Sequence, residues 1–370
     1  MDTVSEKALL DELENQFEGF YSWLWNQYDK ESGGFYYAKS SRHTGGFPPD
    51  IESTSQAINI MVRNEFFSKL PQEMIKSITR FYQAKQDPES GYFYDENPLM
   101  KQDEVMVHRA LSYATGALRR LGSQPLYPLP VEAKAAPAYT KSPESYLEKW
   151  KSIDLSNSWR GCDLIATSCV YISLMEKNSR QKFLREAEAY LASIQNQKTG
   201  FWGEGSLYEQ LSGTFKLHTF YSRHQIEMPN KELIYQTVLE TLRHEEAFDM
   251  CYSRNPLDLL HYIRLPISKE ERLEIVEITV NNIRQFKRDD GGFSRERHAS
   301  PPAPNVAQVK PGHDYPNMPP AVNLGRGLVE GDMNASTQAT LIRMRCRELL
   351  GEDPTVPVKG AAQFFGEGTI

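Results

Sequence analysis

The sequence has few of the features that mark secreted, membrane or nucleic-acid-binding proteins. Its four cysteines are widely spaced over 370 residues and form no Cys-x-x-Cys pair, so we expect buried free thiols and no disulfide framework. No apolar run approaches the roughly 18 residues of a transmembrane helix. The net charge of −7 argues against a protein that binds a nucleic-acid phosphate backbone, which would need a basic face. The first residues lack the basic and apolar regions of a signal peptide, so we expect a cytoplasmic protein.

Helical periodicity is what the chain does contain. Residues 5–28 place leucine and aromatic side chains at steps of three and four, which predicts an amphipathic helix. A shorter helix candidate follows, with acidic and hydroxyl residues at its start. The same alternation recurs at intervals of roughly fifty residues, which is typical of a repeat architecture. The predicted pairs are 5–28 with 51–63, 69–86 with 104–121, 143–152 with 160–176, 179–196 with 207–222, 231–246 with 255–264, and 268–288 with 334–350.

A short turn of constant composition recurs four times along the chain. It reads QYDKESGGFYYA at 27–38, QDPESGYFYDE at 86–96, QNQKTGFWGEG at 195–205 and QFKRDDGGFSRE at 285–296. Glycine permits a backbone conformation that a Cβ disfavours, and the aromatic ring after it can fill the gap between neighbouring helices. We therefore predict that these turns hold the fold together and do no chemistry.

The first and last helix pairs resemble each other more than they resemble the pairs between them. GGFYYA followed by DIESTSQAINI in the first pair corresponds to GGFSRE followed by GDMNASTQATLI in the last. Matching ends predict that these two pairs pack side by side. The sequence thus predicts an all-α fold, a closed (α/α)6 toroid that forms a single domain over residues 1–370. The Pro-rich stretch 297–331 has no helical pattern, and we expect a lid or binding loop there, or otherwise a disordered segment.

The Gln–Gly–aromatic turns resemble the repeats of the terpenoid cyclase and protein prenyltransferase superfamily, and DDGGF at 289–293 is the clearest copy. The resemblance covers the whole chain as architecture and is specific only in the turns. It implies a toroid in which the turns are structural. It also makes isoprenoid processing, by a terpene cyclase or prenyltransferase-like enzyme, one alternative function.

The sequence motifs for both isoprenoid chemistries, cyclisation and prenyl transfer, are incomplete in this chain. Cyclases of the superfamily use an Asp-x-Asp-Asp acid at the start of an inner helix, and the corresponding DMNASTQA keeps only the first acid, Asp332. Prenyltransferases bind zinc through an Asp-x-Cys pair and a later His. Asp249 and Cys251 are similar to that pair, but the last inner helix begins with no His, and only His313, in the preceding loop, could substitute. We predict that no metal and no cofactor is bound.

Polar and aromatic residues gather in the segments that enter the inner helices, which in a ring would surround one mouth of a central cavity. The acid/base candidates are Asp50, Glu52, Glu204, Asp249 and Asp332. The substrate-binding candidates are Tyr94, Trp159, Arg160, Trp202, Tyr208, Lys216, Tyr252, Arg254, His313, Tyr315 and Asn334. We expect members from three pairs to line one shared cavity, namely Trp202, Glu204, Tyr252, Arg254 and Asp332.

This lining favours a sugar over a long hydrocarbon. Aromatic faces stack on sugar rings, arginine binds hydroxyl or uronate groups, and a pair of carboxylates can cleave a glycosidic bond. A lyase would instead need a base such as Tyr or His with a cation beside the enolate. We therefore predict an enzyme acting on a small-molecule or oligosaccharide substrate, a glycoside or a uronate-containing chain. A hydrolase is favoured over a lyase, and a non-catalytic ligand-binding toroid is the third possibility.

Overall fold

A computed structural model describes residues 5–359, and these residues form helices joined by turns and long loops, with no β-strand among them. No helix in this described part is long and apolar enough to cross a membrane. The α-helices are, in chain order, α1 (Glu6–Asn15), α2 (Phe20–Asn26), α3 (Lys39–His43), α4 (Ile51–Arg63), α5 (Gln72–Ala84), α6 (Glu104–Arg120), α7 (Pro143–Lys151), α8 (Ser158–Ser168), α9 (Val170–Leu174), α10 (Lys177–Ser193), α11 (Leu207–His224), α12 (Lys231–His244), α13 (Met250–Ile263), α14 (Lys269–Arg284) and α15 (Met333–Leu349). Short 3-10 helices cover Phe67–Lys69, Pro98–Gln102 and Ala138–Lys141.

The structure confirms that the predicted segments are helical. Several helix boundaries differ from the prediction because of a left-handed glycine and of helix caps. Residues 5–28 form two helices, because Gly19 takes a left-handed φ of 75° and interrupts the hydrogen-bond ladder. The inner helix predicted from residue 160 begins at Ser158, where the side chain of Asn157 accepts a hydrogen bond from the backbone N–H of Arg160. The helix predicted from residue 255 begins at Met250 for the same reason, since Asp249 caps it.

The chain divides into two compact units. Unit 1 comprises residues 1–81, 242–304 and 323–370, and unit 2 comprises residues 82–241 and 305–322. In unit 1, α15 lies between α4 and α13, and α14 packs against α1. The first and last helix pairs of the chain are therefore neighbours, as their matching motifs predict.

Unit 2 is built on three helices that pack side by side, with α8 between α6 and α11. The contact between α8 and α11 is close because small residues face each other across it. A Cβ added at Gly213 on α11 would lie 2.0 Å from the hydroxyl oxygen of Ser158 on α8. This close approach brings charged side chains of the two helices within bonding distance.

The recurring turns have the structural role that the sequence predicts. In unit 2 the side-chain Nε2 of Gln86 donates to the carbonyl of Gly91 (3.3 Å), and Gln195 donates likewise to Gly200 (2.8 Å). Both glycines have a left-handed φ, 73° and 71°. In the last turn the register differs, because Lys287 and not Gln285 donates to the carbonyl of Gly291 (2.8 Å).

The four cysteines are buried free thiols, which confirms the expectation from sequence. Cys162 and Cys169 lie on and at the end of α8 in unit 2, whereas Cys251 and Cys346 lie on α13 and α15 in unit 1. Burial raises the pKa of the Cys162, Cys169 and Cys346 thiols to about 12.

The stretch 297–331 contains no helix, as predicted, yet much of it is buried. Residues 297–304 and 323–331 belong to unit 1, and residues 305–322 belong to unit 2. We call residues 305–322 the strap. Its side chains contact the starts of α6 and α11 and the middle of α8.

Candidate functional site

Three of the five predicted acid/base residues are buried caps of helix N-termini in unit 1. Asp50 caps α4, Asp249 caps α13 and Asp332 caps α15, each accepting a hydrogen bond of 2.7–2.8 Å from a backbone N–H of its helix. All three are at most 2% exposed. Aspartate is favoured at this position because its carboxylate satisfies N–H groups that have no partner inside the helix and because it complements the helix dipole.

Arg295 connects two of these caps and was missed by the sequence analysis. Its Nε lies 3.2 Å from Asp249 Oδ2, and its backbone N–H donates to Asp332 Oδ2 at 2.7 Å. Burial is the largest single influence on Arg295 and opposes its charge, but Asp249, Cys251, Glu296 and Tyr37 together outweigh burial and hold the pKa of the guanidinium above its usual range. At Asp332 burial prevails over hydrogen bonds from Ala335, Ser300 and Arg295 and raises the pKa of the carboxyl to about 6.

A second set of polar residues in unit 1, four of them half-buried and Gln338 and Asp258 buried, runs across the packed helices α4, α15 and α13. We call it the polar row, and it joins three predicted residues through one missed glutamine. Glu52 Oε1 accepts a long hydrogen bond from Asn334 Nδ2 (3.4 Å), and Gln338 donates to Asn334 Oδ1 (2.8 Å). Arg254 Nε lies 3.5 Å from Gln338 Oε1 and completes the link to α13. Its members are Glu52, Asn334, Gln338, Arg254, Asp258 and Arg345.

The polar row ends in a carboxylate held by two guanidiniums. Asp258 Oδ2 lies 3.2 Å from Arg254 Nη1, and its Oδ1 lies 3.0 Å from Arg345 Nε. Two adjacent cations favour the ionised form of a carboxylate. The row therefore offers amide, guanidinium and carboxylate groups on one half-buried face.

In unit 2, three buried carboxylates lie on neighbouring helices, two of them at the starts of α6 and α11 and the third in the middle of α8. We call Asp103, Asp163 and Glu209 the carboxylate set, and each is at most 1% exposed. Asp103 pairs with Arg160 at 2.7 Å, so the predicted Arg160 has a buried partner on the neighbouring helix.

Two cationic side chains and one amide surround the carboxylate of Asp163. Its Oδ2 lies 2.6 Å from Arg109 Nη2 and 3.0 Å from Lys216 Nζ, and it also accepts from Gln308. Burial opposes ionisation of Asp163, but Arg109 and Lys216 outweigh burial and hold the pKa of the carboxyl well below its usual range. The predicted Lys216 thus lies in a charge cluster that no local pattern indicated.

The predicted aromatic residues lie mainly in the core. Trp202 has no exposed surface, and its indole N–H donates to the carbonyl of Leu191 at 2.8 Å. Tyr208 and Tyr252 are also buried. Tyr94 is half-buried beneath Lys101, whose Nζ lies 4.3 Å from the ring centroid.

Two predicted aromatic or acidic residues of unit 2 lie nearer its surface. Tyr315, on the strap, donates to the carbonyl of Asp154 at 2.8 Å. The side chain of Glu204 is exposed, although its backbone N–H donates to Leu155 at 2.9 Å. A single cavity lined by Trp202, Glu204, Tyr252, Arg254 and Asp332 stays a prediction.

No group of three His, Cys, Asp or Glu side chains within residues 5–359 is arranged to hold a metal ion. Asp249, one of the residues similar to a prenyltransferase zinc ligand, directs one oxygen at the Cys251 backbone N–H and the other at Arg295. Its contacts are those of a helix cap in an ion pair.

Comparison with known proteins does not assign the chain to a family. No protein-family model matches the chain. Among curated proteins, no significant sequence match is found. The function must therefore be argued from the residues themselves.

Proposed function

We propose that this protein is a cytoplasmic enzyme that acts on a carbohydrate-like substrate, a glycoside or a uronate-containing chain, by carboxylate acid/base chemistry. The polar row of unit 1 is the observation that carries the proposal. Amide and guanidinium groups that reach a half-buried face suit the hydroxyl and carboxylate groups of sugars. A prenyl chain would instead call for an apolar lining.

Glu52 is the acid/base residue that we favour among the five candidates. Asp50, Asp249 and Asp332 use their oxygens to cap helices and are buried, so a substrate has little access to them. Glu52 is half-buried and lies one residue inside α4, where its carboxylate accepts from Gln56 at 3.0 Å. It can therefore meet a bound substrate on the face that the polar row presents.

Asp258, which is 8% exposed and so more accessible than the three capping aspartates, supplies the second carboxylate that a hydrolase requires. Its two guanidinium partners favour the ionised form, which suits a base or a nucleophile, while Glu52 would deliver the proton to the leaving group. This division of roles favours hydrolysis. In a lyase, Arg254 would instead stabilise the enolate that forms when a base removes a proton.

For the fold, we propose a closed (α/α)6 toroid of the terpenoid cyclase and prenyltransferase type. The pairing of α4, α15 and α13 in unit 1, the pairing of α6, α8 and α11 in unit 2, and the glycine turns support it. Small-angle scattering should give a radius of gyration of about 21 Å, the value for a compact chain of this length. A clearly larger radius would indicate an open superhelix.

Glu52→Gln tests the functional proposal. Purified protein is screened for turnover of neutral and uronate-containing oligosaccharides and of prenyl diphosphates. With an oligosaccharide substrate, the variant should lose about 10²–10⁴-fold in kcat, the usual contribution of general acid–base catalysis. Glu277→Gln, an exposed glutamate of α14, is the matched control and should leave kcat unchanged.

Two outcomes would contradict this proposal. Turnover of a prenyl diphosphate alone would favour the isoprenoid alternative. Oligosaccharide binding without turnover would favour a non-catalytic toroid.

A further inference from the structure

The hydroxyl of Ser300 in unit 1 lies between two oxygen atoms that both accept hydrogen bonds. Its Oγ lies 2.6 Å from the backbone carbonyl oxygen of Glu330 and 2.7 Å from Asp332 Oδ2. A serine hydroxyl carries one hydrogen and can donate to only one partner at such short distances. The other contact therefore needs a second hydrogen. Of the two partners, a carbonyl cannot carry one and the carboxyl of Asp332 can.

The protonation state of Asp332 thus sets the direction of this chain of hydrogen bonds. A protonated Asp332 donates to Ser300, and Ser300 donates to the carbonyl of Glu330. An ionised Asp332 is an acceptor only, so Ser300 must turn its hydrogen to the carboxylate and withdraw it from Glu330. Loss of the proton therefore removes the side-chain link between Ser300 and Glu330.

Ser300 and Glu330 lie on the two parts of the Pro-rich stretch that belong to unit 1. We call these parts, residues 297–304 and 323–331, the arms. The backbone N–H groups of Ser300 and Glu330 both donate to the carbonyl of Leu328, at 2.9 and 3.0 Å. The link through the Ser300 hydroxyl therefore closes a small hydrogen-bonded unit between the arms, and the two N–H groups report on its opening.

Other contacts attach the arms to the segment around α3. Tyr37 donates to the carbonyl of Pro301 at 2.9 Å, and Ser41 donates to the carbonyl of Leu324 at 2.6 Å. Neither bond includes a carboxylate, so neither changes when Asp332 loses its proton. The effect of that proton is confined to the part of the arms next to the start of α15.

The charged and titratable groups around Asp332 leave its direct hydrogen bonds to neutral donors. These groups are Arg288, Asp290 and Arg295 of the last turn, Tyr37, Asp249 of α13 and Glu330 of the arms. Arg295 is paired with Asp249, and the guanidinium of Arg288 donates to backbone carbonyls. Burial keeps Tyr37 neutral, because it raises the pKa of the phenol well above its usual range.

We propose that Asp332, Ser300 and Glu330 form a proton-dependent latch, which closes the arms on the start of α15 when Asp332 is protonated and loosens them when it is ionised. The latch goes beyond the proposed function and does not rest on it, since none of its three residues belongs to the polar row. It adjoins that row, because Asn334 lies in the first turn of the same helix.

The latch should be tightest in weak acid. The pKa of Asp332 is about 6 with the arms closed, whereas an aspartate in water has a pKa of about 3.9. The closed form is therefore fully favoured below about pH 4. Its opening constant should rise about tenfold per pH unit, about 100-fold in total, up to pH 6 and stay level above it.

Hydrogen exchange of the full chain measures this opening in peptides that cover the arms, after correction for the intrinsic exchange rate at each pH. The wild type should show the rise from pH 4 to 6. Ser300→Ala, which removes the shared hydroxyl, should not show it. Asp332→Asn should not show it either, because asparagine can cap α15 but does not titrate. Ser294→Ala is the matched control and should keep the rise, since the buried Ser294 hydroxyl donates to the carbonyl of Glu296 (2.6 Å).

Infrared spectroscopy gives a second readout on the wild type. A C=O band of a protonated, buried carboxyl should be present at pH 5 and disappear with a midpoint near pH 6, and Asp332→Asn should lack it. Three results would overturn the proposal. They are level exchange of the arms from pH 4 to 6, the same rise in Ser300→Ala, and the absence of that band from the wild type at pH 5. If Asp332→Asn does not fold, the wild type and Ser300→Ala decide between these outcomes.

Discussion

Asp332 at the start of α15 in unit 1 and Asp163 in the middle of α8 in unit 2 are both buried carboxylates, and their pKa values shift in opposite directions. The hydrogen bonds that reach Asp332 come from neutral groups, two backbone N–H groups and the hydroxyl of Ser300, and burial raises its pKa to about 6. Asp163 has Arg109 and Lys216 beside it, and its pKa lies well below the usual range. The charge of the partners, not the depth of burial, decides which form of a buried acid the fold keeps.

This difference extends to the organisation of the two units. Unit 1 spreads its polar groups over a row in which amides separate the charges. Unit 2 concentrates acidic and basic side chains of α6, α8 and α11 in one cluster, which side chains of the strap contact. The following predictions test this contrast, from the largest effect to the smallest.

Arg295→Met in unit 1 should destabilise the protein more than Arg109→Met in unit 2. Without Arg295, Asp249 is left without this buried ion pair, which costs about 3–5 kcal/mol of unfolding free energy. Without Arg109, Asp163 still accepts from Lys216 and Gln308, so we expect a loss of about 1–3 kcal/mol. Urea denaturation at neutral pH measures both. Equal losses would mean that the partners of Asp163 do not substitute for one another.

Asp332→Asn should remove a dependence of stability on pH between about 4 and 6. The pKa in the folded state, about 6, lies above the value of about 3.9 for an unfolded aspartate, so the folded protein holds the proton more tightly in this window. The stability is therefore fully present below about pH 4 and falls, by at most about 3 kcal/mol, as the pH rises to 6.

The measurement is the unfolding free energy of the wild type and the variant across this pH range, with the exposed Asp314→Asn as the control. Asp163 contributes in the opposite sense, because its lowered pKa gives stability that is lost as the pH falls below about 4. A wild-type stability that rises steadily from pH 4 to 6, unchanged by Asp332→Asn, would contradict the assignment.

Gly91→Ala and Gly116→Ala should change stability in opposite directions. Gly91 has a left-handed φ of 73°, and a Cβ there would lie 1.9 Å from Pro128 O, so we expect a loss of at least about 1–3 kcal/mol. Gly116 lies inside α6, where a Cβ would meet nothing within 4 Å, so alanine should stabilise the helix by about 0.5–1 kcal/mol. Thermal unfolding of both variants checks the pair, and a neutral Gly91→Ala would mean that the turn adapts.

The parts of the fold that depend on short-range pattern could be predicted from the sequence. Helical periodicity indicated the helices, and the matching motifs of the first and last pairs indicated that α4 and α15 are neighbours. The turn register at Lys287 could not be predicted, because a lysine amine can bind the same carbonyl that a glutamine amide binds in the turns at 86–96 and 195–205.

The candidate site was harder to predict for a physical reason. An aspartate at the start of a helix gives the same sequence pattern whether it caps the helix, as Asp50 and Asp332 do, or contacts a ligand. The contact between Gln308 and Asp163 spans 145 residues and follows no periodicity. Arg295 gave no signal either, since it lies in a turn segment that the sequence analysis assigned to scaffold.

The placement of the cysteines gives each unit its own reporter of local opening. Two thiols lie in unit 2 and two in unit 1, all buried. A buried thiol with a raised pKa resists alkylation until the helix around it opens. Mass spectrometry of the native chain during slow exposure to an alkylating reagent would therefore time the opening of α8 separately from that of α13 and α15, without any substitution. Alkylation at Cys162 and Cys346 would compare the two units within one molecule.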